Sequence, residues 1–227
     1  MSNPTVQAEH AKQNIKLAVD NCIFTVKDGK LFILLIKMKS KLQGMWALPG
    51  GLIKDTETIG AAAQRILKQE TGLSDNYLEQ LYTFSQPNRD PFARVISTAY
   101  FALIPDANIE LKPSPKYDDV RWYPVKKLPE LAYDHNHIVK YAKQRLEWKI
   151  SYTNAAWSLL PEKFTLTELQ KVYEAILNKK LDKRNFRKKI DKVGLLKETK
   201  QTKLEGAHRP AKLYEFSSKK KKIVEII

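Results

Sequence analysis

GLIKDTETIGAAAQRILKQETGL, residues Gly51 to Leu73, reads as a loop, then a helix, then a stop. Thr and Glu stand near its start, alanines fill the middle turns, and Gly72 sits where a C-terminal cap belongs. That order predicts a helix from about Thr58 to Thr71. Residues three and four apart share a helix face, so positions 66, 69 and 70 project toward one spot just off the helix. That face carries Ile66, Gln69 and Glu70.

The flanks of this helix read as sheet. Residues 15–26 (IKLAVDNCIFTV) and 31–38 (LFILLIKM) are rich in β-branched and aliphatic residues and are separated by Lys27-Asp28-Gly29-Lys30, which predicts a hairpin. Tyr77 to Phe84 and Arg94 to Ile104 are strand-like again, with the loop SQPNRDP between them. Strands mixed with one strong helix imply an α/β (α+β) sandwich. Residues 136–150 place Ile138, Tyr141, Ala142, Leu146 and Trp148 at mainly helical spacing, a closing helix that could serve as connector or dimer surface. The adjoining Asp134-His135-Asn136-His137 invites a metal reading, but no Cys and no suitably spaced third ligand accompany it, so no metal is expected there.

From Ser151 the pattern changes to helix, helix, helix, hairpin. Tyr152 to Leu160 reads as a short apolar helix ended by Pro161. Thr165-Leu166-Thr167-Glu168 has the form of a capping box, and Leu169, Val172, Tyr173 and Ile176 follow with helical period. Asp182 is a good N-cap for a helix from Lys183 to Val193, on which Phe186, Ile190 and Val193 face inward. Lys183, Arg184, Asn185, Arg187 and Lys188 are left to face out or flank the core. Leu195 to Thr199 and Lys212 to Phe216 would pair around KQTKLEGAHRPA as a wing, completing a winged helix-turn-helix.

Charge agrees with that reading. The 227-residue chain has a net charge of +15, and residues 161–227 carry 19 Lys and Arg against 9 Asp and Glu. Two thirds of the excess therefore lies in the last third of the chain, which points to a polyanion bound by the C-terminal part. Lys183, Arg184, Asn185, Arg187 and Lys188, with His208 and Arg209 on the wing, are the DNA-binding candidates, and a double-stranded operator is the expected partner. The four lysines 219–222 are expected to be solvated. A single cysteine, Cys22, excludes an internal disulfide and belongs to an apolar strand. The start lacks a signal-peptide pattern and the longest apolar run, Leu31 to Ile36, is only six residues, so a cytoplasmic protein without a membrane span is expected. The expected organisation is a flexible 1–14, a first domain at 15–150, a winged helix at 151–218 and a tail at 219–227.

The central stretch keeps the frame of the Nudix signature G-x5-E-x7-R-E-U-x-E-E-x-G-U, in which U is a bulky aliphatic: Gly51, Glu57, Arg65, Leu67, Glu70, Gly72 and Leu73 are in register. WALPGG at 46–51 also looks like the loop leading into that box. Together with YLEQLYTF, the loop ending Arg89-Asp90-Pro91, and RVISTAYFALI, the chain resembles the Nudix-related transcriptional regulators of NAD metabolism, whose Nudix domain senses ADP-ribose or related molecules. The resemblance covers residues 15–150 and implies a Nudix-type mixed sheet between helices.

In Nudix hydrolases three Glu side chains hold divalent metal against a diphosphate, and here Ile66 and Gln69 replace two of them. Magnesium requires oxygen ligands, so loss of the metal, of any cofactor and of hydrolysis is expected, with no catalytic residue assigned. Arg89 and Arg94 become partners for a diphosphate, since guanidinium groups bind such oxygens without a cation bridge. Gly50 and Gly51 would admit close backbone approach. Trp46 would stack on a base or sit in the core, and Arg65 and Glu70 complete the ligand-binding candidates. The resemblance further implies a homodimeric repressor that releases DNA when ADP-ribose, its small-molecule effector, accumulates. The alternatives are an active ADP-ribose pyrophosphatase with a regulatory winged helix and a sugar-responsive regulator of pentose catabolism.

Overall fold

The computed structural model describes residues 14–39, 42–72, 77–105, 109, 111, 115–204, 210–218 and 222–224. Strands β1 (Lys16–Lys27) and β2 (Lys30–Met38) form the expected hairpin, with Lys27 opposite Lys30. Asp28 and Gly29 both take positive φ, 50° and 67°, the backbone a tight two-residue turn demands. Five further strands complete the sheet, two where expected and three not anticipated. β3 (Trp46–Ala47) and β4 (Gly50–Leu52) are too short to show alternation, and β5 (Tyr77–Phe84) and β6 (Val95–Leu103) match the strand-like runs. β7 (Tyr117–Pro124), YDDVRWYP, carries two Asp, an Arg and a Pro, which hide its strand character.

These strands make one mixed sheet in the order β3-β2-β1-β6-β5, with β4 on β1 and β7 on β2. β1 runs parallel to β6 along its length, and its first part pairs antiparallel with β4 before its last part pairs with β2. Successive β1 side chains point to opposite faces. Val19 meets helix α1 (Ile59–Thr71) in a cluster with Ala62, Ala63, Ile66 and Tyr100. Cys22 and Phe24 belong instead to the core that contains Ile138, Val139, Ala142 and Leu146 of helix α2 (His135–Tyr152). Helix α1 starts at the Thr58 cap, whose hydroxyl accepts from the Ala61 N–H, and stops at left-handed Gly72.

α2 continues through the expected domain boundary at 150/151. The separate helix expected at 152–160 does not form. Thr153 becomes extended, its hydroxyl donates back to the Lys149 carbonyl, and only a 3₁₀ turn at Ala155–Leu159 follows. The backbone of residues 222–224 is tied down, the Lys222 N–H donating to Asn154 Oδ1, the Val224 N–H to the Tyr152 carbonyl, and Ile223 bridging Thr153, while Lys222 itself is exposed. Lys219 to Lys221 lie outside the described residues.

Beyond the turn come α3 (Leu166–Leu177), opened by the expected Thr165–Glu168 capping box, and α4 (Lys183–Val193), capped by Asp182. Strands β8 (Leu196–Lys203) and β9 (Ala211–Phe216) pair antiparallel as the wing. One apolar core runs without interruption from Phe24 and Phe101 through Leu146 and Ile150 to Phe164, Tyr173, Phe186 and Leu195. A buried ion pair, Lys149 Nζ to Glu79 Oε1 at 2.7 Å, ties the end of α2 to edge strand β5. The two parts should therefore unfold together: Leu146→Ala, at a fully buried position, should cost about 2–5 kcal/mol and shift one cooperative denaturant transition rather than split it.

Candidate functional site

Where β1 passes from β4 to β2, a cavity of about 260 Å³ opens against the start of α2. Its walls include Asp20 of β1, Gly50 and Gly51 of β4, Arg89, Tyr133 and His135, with Leu52, Phe92 and Tyr117 supplying apolar surface. Phe92 is about half exposed.

A buried polar network forms one wall. Asp20 Oδ2 accepts from Ser97 Oγ at 2.6 Å and from Arg89 Nη2 at 3.2 Å. Arg89 also donates from Nε and Nη2 to the two carboxylate oxygens of Asp134, at 3.0 and 2.6 Å. The Leu48 N–H donates to His135 Nδ1 at 2.9 Å, which places the ring proton on Nε2, 3.5 Å from Asp20 Oδ1. Burial alone would raise the Asp20 carboxyl; the His135 ring, the Arg89 guanidinium and the Ser97 hydroxyl bring it down to about 2. Gly50 is required by this network, because a Cβ there would lie 2.3 Å from Asp20 Oδ1 and 2.8 Å from the Val19 carbonyl.

The helix face that opened the sequence reading carries no metal-ligand set. Ile66 is buried against Val19, Ala62, Ala63 and Tyr100, and Gln69 is exposed, its amide oxygen accepting from Arg65 Nη1 at 3.4 Å. Arg65 grips Glu57 bidentately, Nε to Oε2 at 2.9 Å and Nη2 to Oε1 at 2.6 Å, while the Lys54 N–H donates to Oε1. Arg65 is thus a staple that holds the loop on the helix. Glu70 is buried, with no hydrogen-bond partner at Oε2 among the described residues; burial pushes its carboxyl up to about 7 against the opposing pull of Lys116. Among the described residues no three His, Cys, Asp or Glu side chains converge as metal ligands.

Of the ligand-binding candidates, then, Gly50, Gly51 and Arg89 line the cavity. Arg65 and Glu70 sit on α1 as described, and Trp46 packs edge-on against Tyr123 beneath Arg121. Arg94 is not among the residues that line the cavity; its Nη1 donates to the Ser85 and Gln86 carbonyls of the neighbouring loop. Asp20, Ser97, Asp134 and His135 escaped the sequence reading. The available signals were an Asp inside a strand of otherwise buried residues and the Asp134-His135 pair, weighed only as metal ligands.

The second site is the outer face of α4. Lys183, Arg184, Asn185, Arg187 and Lys188 are all exposed, whereas Phe186 and Ile190 are buried. Asp182 accepts from the Asn185 N–H at 2.8 Å and fixes the first turn. Lys183 and Arg187 face a groove shared with the start of α3 and with Lys203, Lys212 and Tyr214 of the wing. His208 and Arg209 lie outside the described residues.

Two outcomes test this geometry. Gly50→Ala should destabilise the fold by about 1–3 kcal/mol, because the new methyl collides with Asp20 and backbone. For Glu70 the folded-state pKa, about 7, lies above the ordinary 4.5, so its contribution to stability is complete below 4.5 and is lost as pH rises through 7. Glu70→Gln should remove that loss, gaining roughly 1–3 kcal/mol over the native chain between pH 5 and pH 8 in urea titrations.

The comparisons with known proteins follow the same division of the chain. The NUDIX domain family matches residues 15–143, and the NrtR DNA-binding winged helix domain matches residues 156–216. The chain is 39% identical over 206 residues to the ADPR responsive transcriptional repressor NtrR of Acinetobacter baylyi, covering 88% of this chain and 82% of that one. It is 37% identical over 134 residues to an ADP-ribose pyrophosphatase of Methanocaldococcus jannaschii, covering 59% and 74% of the two chains. Shewanella oneidensis NrtR, solved in complex with a 27mer DNA, superposes with a TM-score of 0.79 at 33% identity, over 88% of this chain and 93% of the other. With both domains present in the same order over nearly its whole length, the chain belongs to the NrtR family of transcriptional regulators.

Proposed function

We propose that this protein is a repressor that leaves its DNA operator when ADP-ribose fills the cavity of the Nudix domain, and that the domain holds this ligand without cleaving it. The observation that carries the second half is the packing of Ile66 where a metal-ligating carboxylate would stand. An aliphatic side chain offers magnesium nothing, and exposed Gln69 offers one neutral carbonyl. Without a bound cation, little neutralises charge developing on the diphosphate or lowers the pKa of an attacking water. The effector class follows from the Acinetobacter relative and from a cavity that combines Arg89 with aromatic and apolar walls. Genes of NAD metabolism are the proposed targets, and a homodimer the proposed DNA-bound form.

Two observations favour the pyrophosphatase reading. Glu70 is a buried carboxylate without a partner at Oε2 among the described residues, and an ADP-ribose pyrophosphatase is similar to the Nudix part of the chain. Incubation with ADP-ribose and magnesium or manganese separates the two: ADP-ribose should be recovered intact, and AMP formed at about 1 per second or faster, abolished by Glu70→Gln, would establish the enzyme.

The DNA-binding half has its own test. In this reading Arg184 and Asn185, exposed in the first turn of α4, meet base edges as such turns do in recognition helices, and exposed Lys183, Arg187 and Lys188 bind phosphate. Arg184→Ala should cost about 1–3 kcal/mol at one base position and relax specificity there. Lys188→Ala should weaken all sequences alike and make the salt slope shallower by about one unit in anisotropy titrations.

A further inference from the structure

Helix α2 begins in the cavity wall and ends at the winged helix. Asp134 occupies its N-cap position, yet the side chain makes no capping hydrogen bond. Both carboxylate oxygens are taken by Arg89 instead. An N-cap Asp ordinarily accepts from a first-turn N–H of its own helix with its backbone extended; Asp134 stands at φ −96° and ψ 18°, so turning to cap requires its backbone, and with it the start of the helix, to rotate along with the side chain. The neighbouring residues fix the same turn to the cavity, His135 through Leu48 and Asn136 by accepting from the Leu131 N–H. At the far end, Lys149 is buried on Glu79 and Thr153 bridges to Ile223. Eighteen residues of helix span about 27 Å, and a packed helix transmits a shift of its first turn as a rigid body.

Arg89 is the guanidinium that this cavity offers an anion. Its Nε and Nη2 are committed to the carboxylates, and Nη1 makes no hydrogen bond among the described residues. Phosphate oxygens arriving at Nη1 add negative charge to a site that already holds two carboxylates around one cation. One carboxylate must yield. The Asp20 side chain is 8% exposed and also holds Ser97, whereas that of Asp134 is 17% exposed and has a helix N-terminus to accept it. Water and the helix end lower the cost of releasing Asp134; nothing comparable serves Asp20.

We propose that Asp134 is the positioning residue through which cavity occupancy reaches the DNA-binding domain: a nucleotide diphosphate competes with it for Arg89, and the first turn of α2 shifts as its carboxylate turns to cap the helix. The proposal rests on the reading of ADP-ribose as effector. In Asp134→Asn the charge on Arg89's partner is lost while the capping ability of the side chain is kept, so the variant should mimic the ligand-bound state.

The test uses the full chain, ADP-ribose, and a duplex selected by this protein from random-sequence DNA. ADP-ribose should lower the DNA affinity of the native protein about 5- to 150-fold. Asp134→Asn should bind ADP-ribose at least as tightly as the native protein, bind the duplex more weakly, and respond to ADP-ribose by less than about threefold. Coupling of native size in Asp134→Asn would overturn the proposal and leave the repressor reading standing. Weakening of both ligands together would reduce Asp134 to a structural role and overturn it equally. Native DNA affinity indifferent to ADP-ribose would remove the repressor reading and this proposal with it. Hydrogen exchange of the native protein, free of any substitution, gives the same decision: the amides of residues 135–138 should change their protection when ADP-ribose binds, and unchanged protection would contradict the mechanism.

Discussion

The buried association of Asp20, Arg89 and Asp134 is the constraint around which the first domain is arranged. One guanidinium, almost withdrawn from water, is shared by a strand carboxylate and a helix-cap carboxylate. Removing the guanidinium would leave two carboxylates without their shared cation, one of them deeply buried, at about 3–5 kcal/mol. The neighbourhood therefore conforms to it. Gly50 has no side chain because Asp20 occupies the space, Ser97 turns its hydroxyl to the same carboxylate, and His135 closes the far side with its ring held by Leu48. These contacts also fix where α2 starts, and α2 carries the core that reaches the winged helix.

The neighbouring α1 keeps the frame of the box while two of its carboxylate positions carry Ile66 and Gln69. Glu57 and Arg65 keep their bidentate pair, which holds the loop against the helix and draws the Glu57 carboxyl down to about 2 through the Arg65 and Lys54 hydrogen bonds. That pair is structural and needs no metal. Ile66 repacks the adjoining position into the apolar cluster beneath Gly51, whose added Cβ would meet the Ile66 side chain at only ordinary contact distance. Glu70 is left with a buried oxygen and a raised pKa. Geometry and ligand pocket persist around a face that has lost most of its charge.

What the amino-acid order revealed was local. The β1–β2 hairpin followed from Asp28-Gly29 between apolar runs, α1 from its Thr58 and Gly72 ends, and α3 and α4 from the Thr165 and Asp182 caps, each within a few residues of its signal. The basic outer face of α4 was legible because Phe186 and Ile190 mark the inner one. β7 was hidden by its Asp and Arg residues and is held in place by β2, some eighty positions earlier in the chain. The cavity wall was hidden for a similar reason. Arg89 reaches Asp20 across 69 positions and Asp134 across 45, and no local pattern announces which of several arginines will be buried. Arg94, equally plausible from its residue type, turned to nearby carbonyls instead.

In the proposed regulator one ligand-binding cavity and one DNA-binding surface oppose each other thermodynamically. Coupling of that kind is reciprocal for equilibrium affinities. The direct measurement is a pair of titrations on the same preparation: calorimetric binding of ADP-ribose with and without saturating operator duplex, and anisotropy of the duplex with and without saturating ADP-ribose. Each ligand should weaken the other by the same factor, on the order of 5 to 150. Affinities that are independent of one another would contradict it.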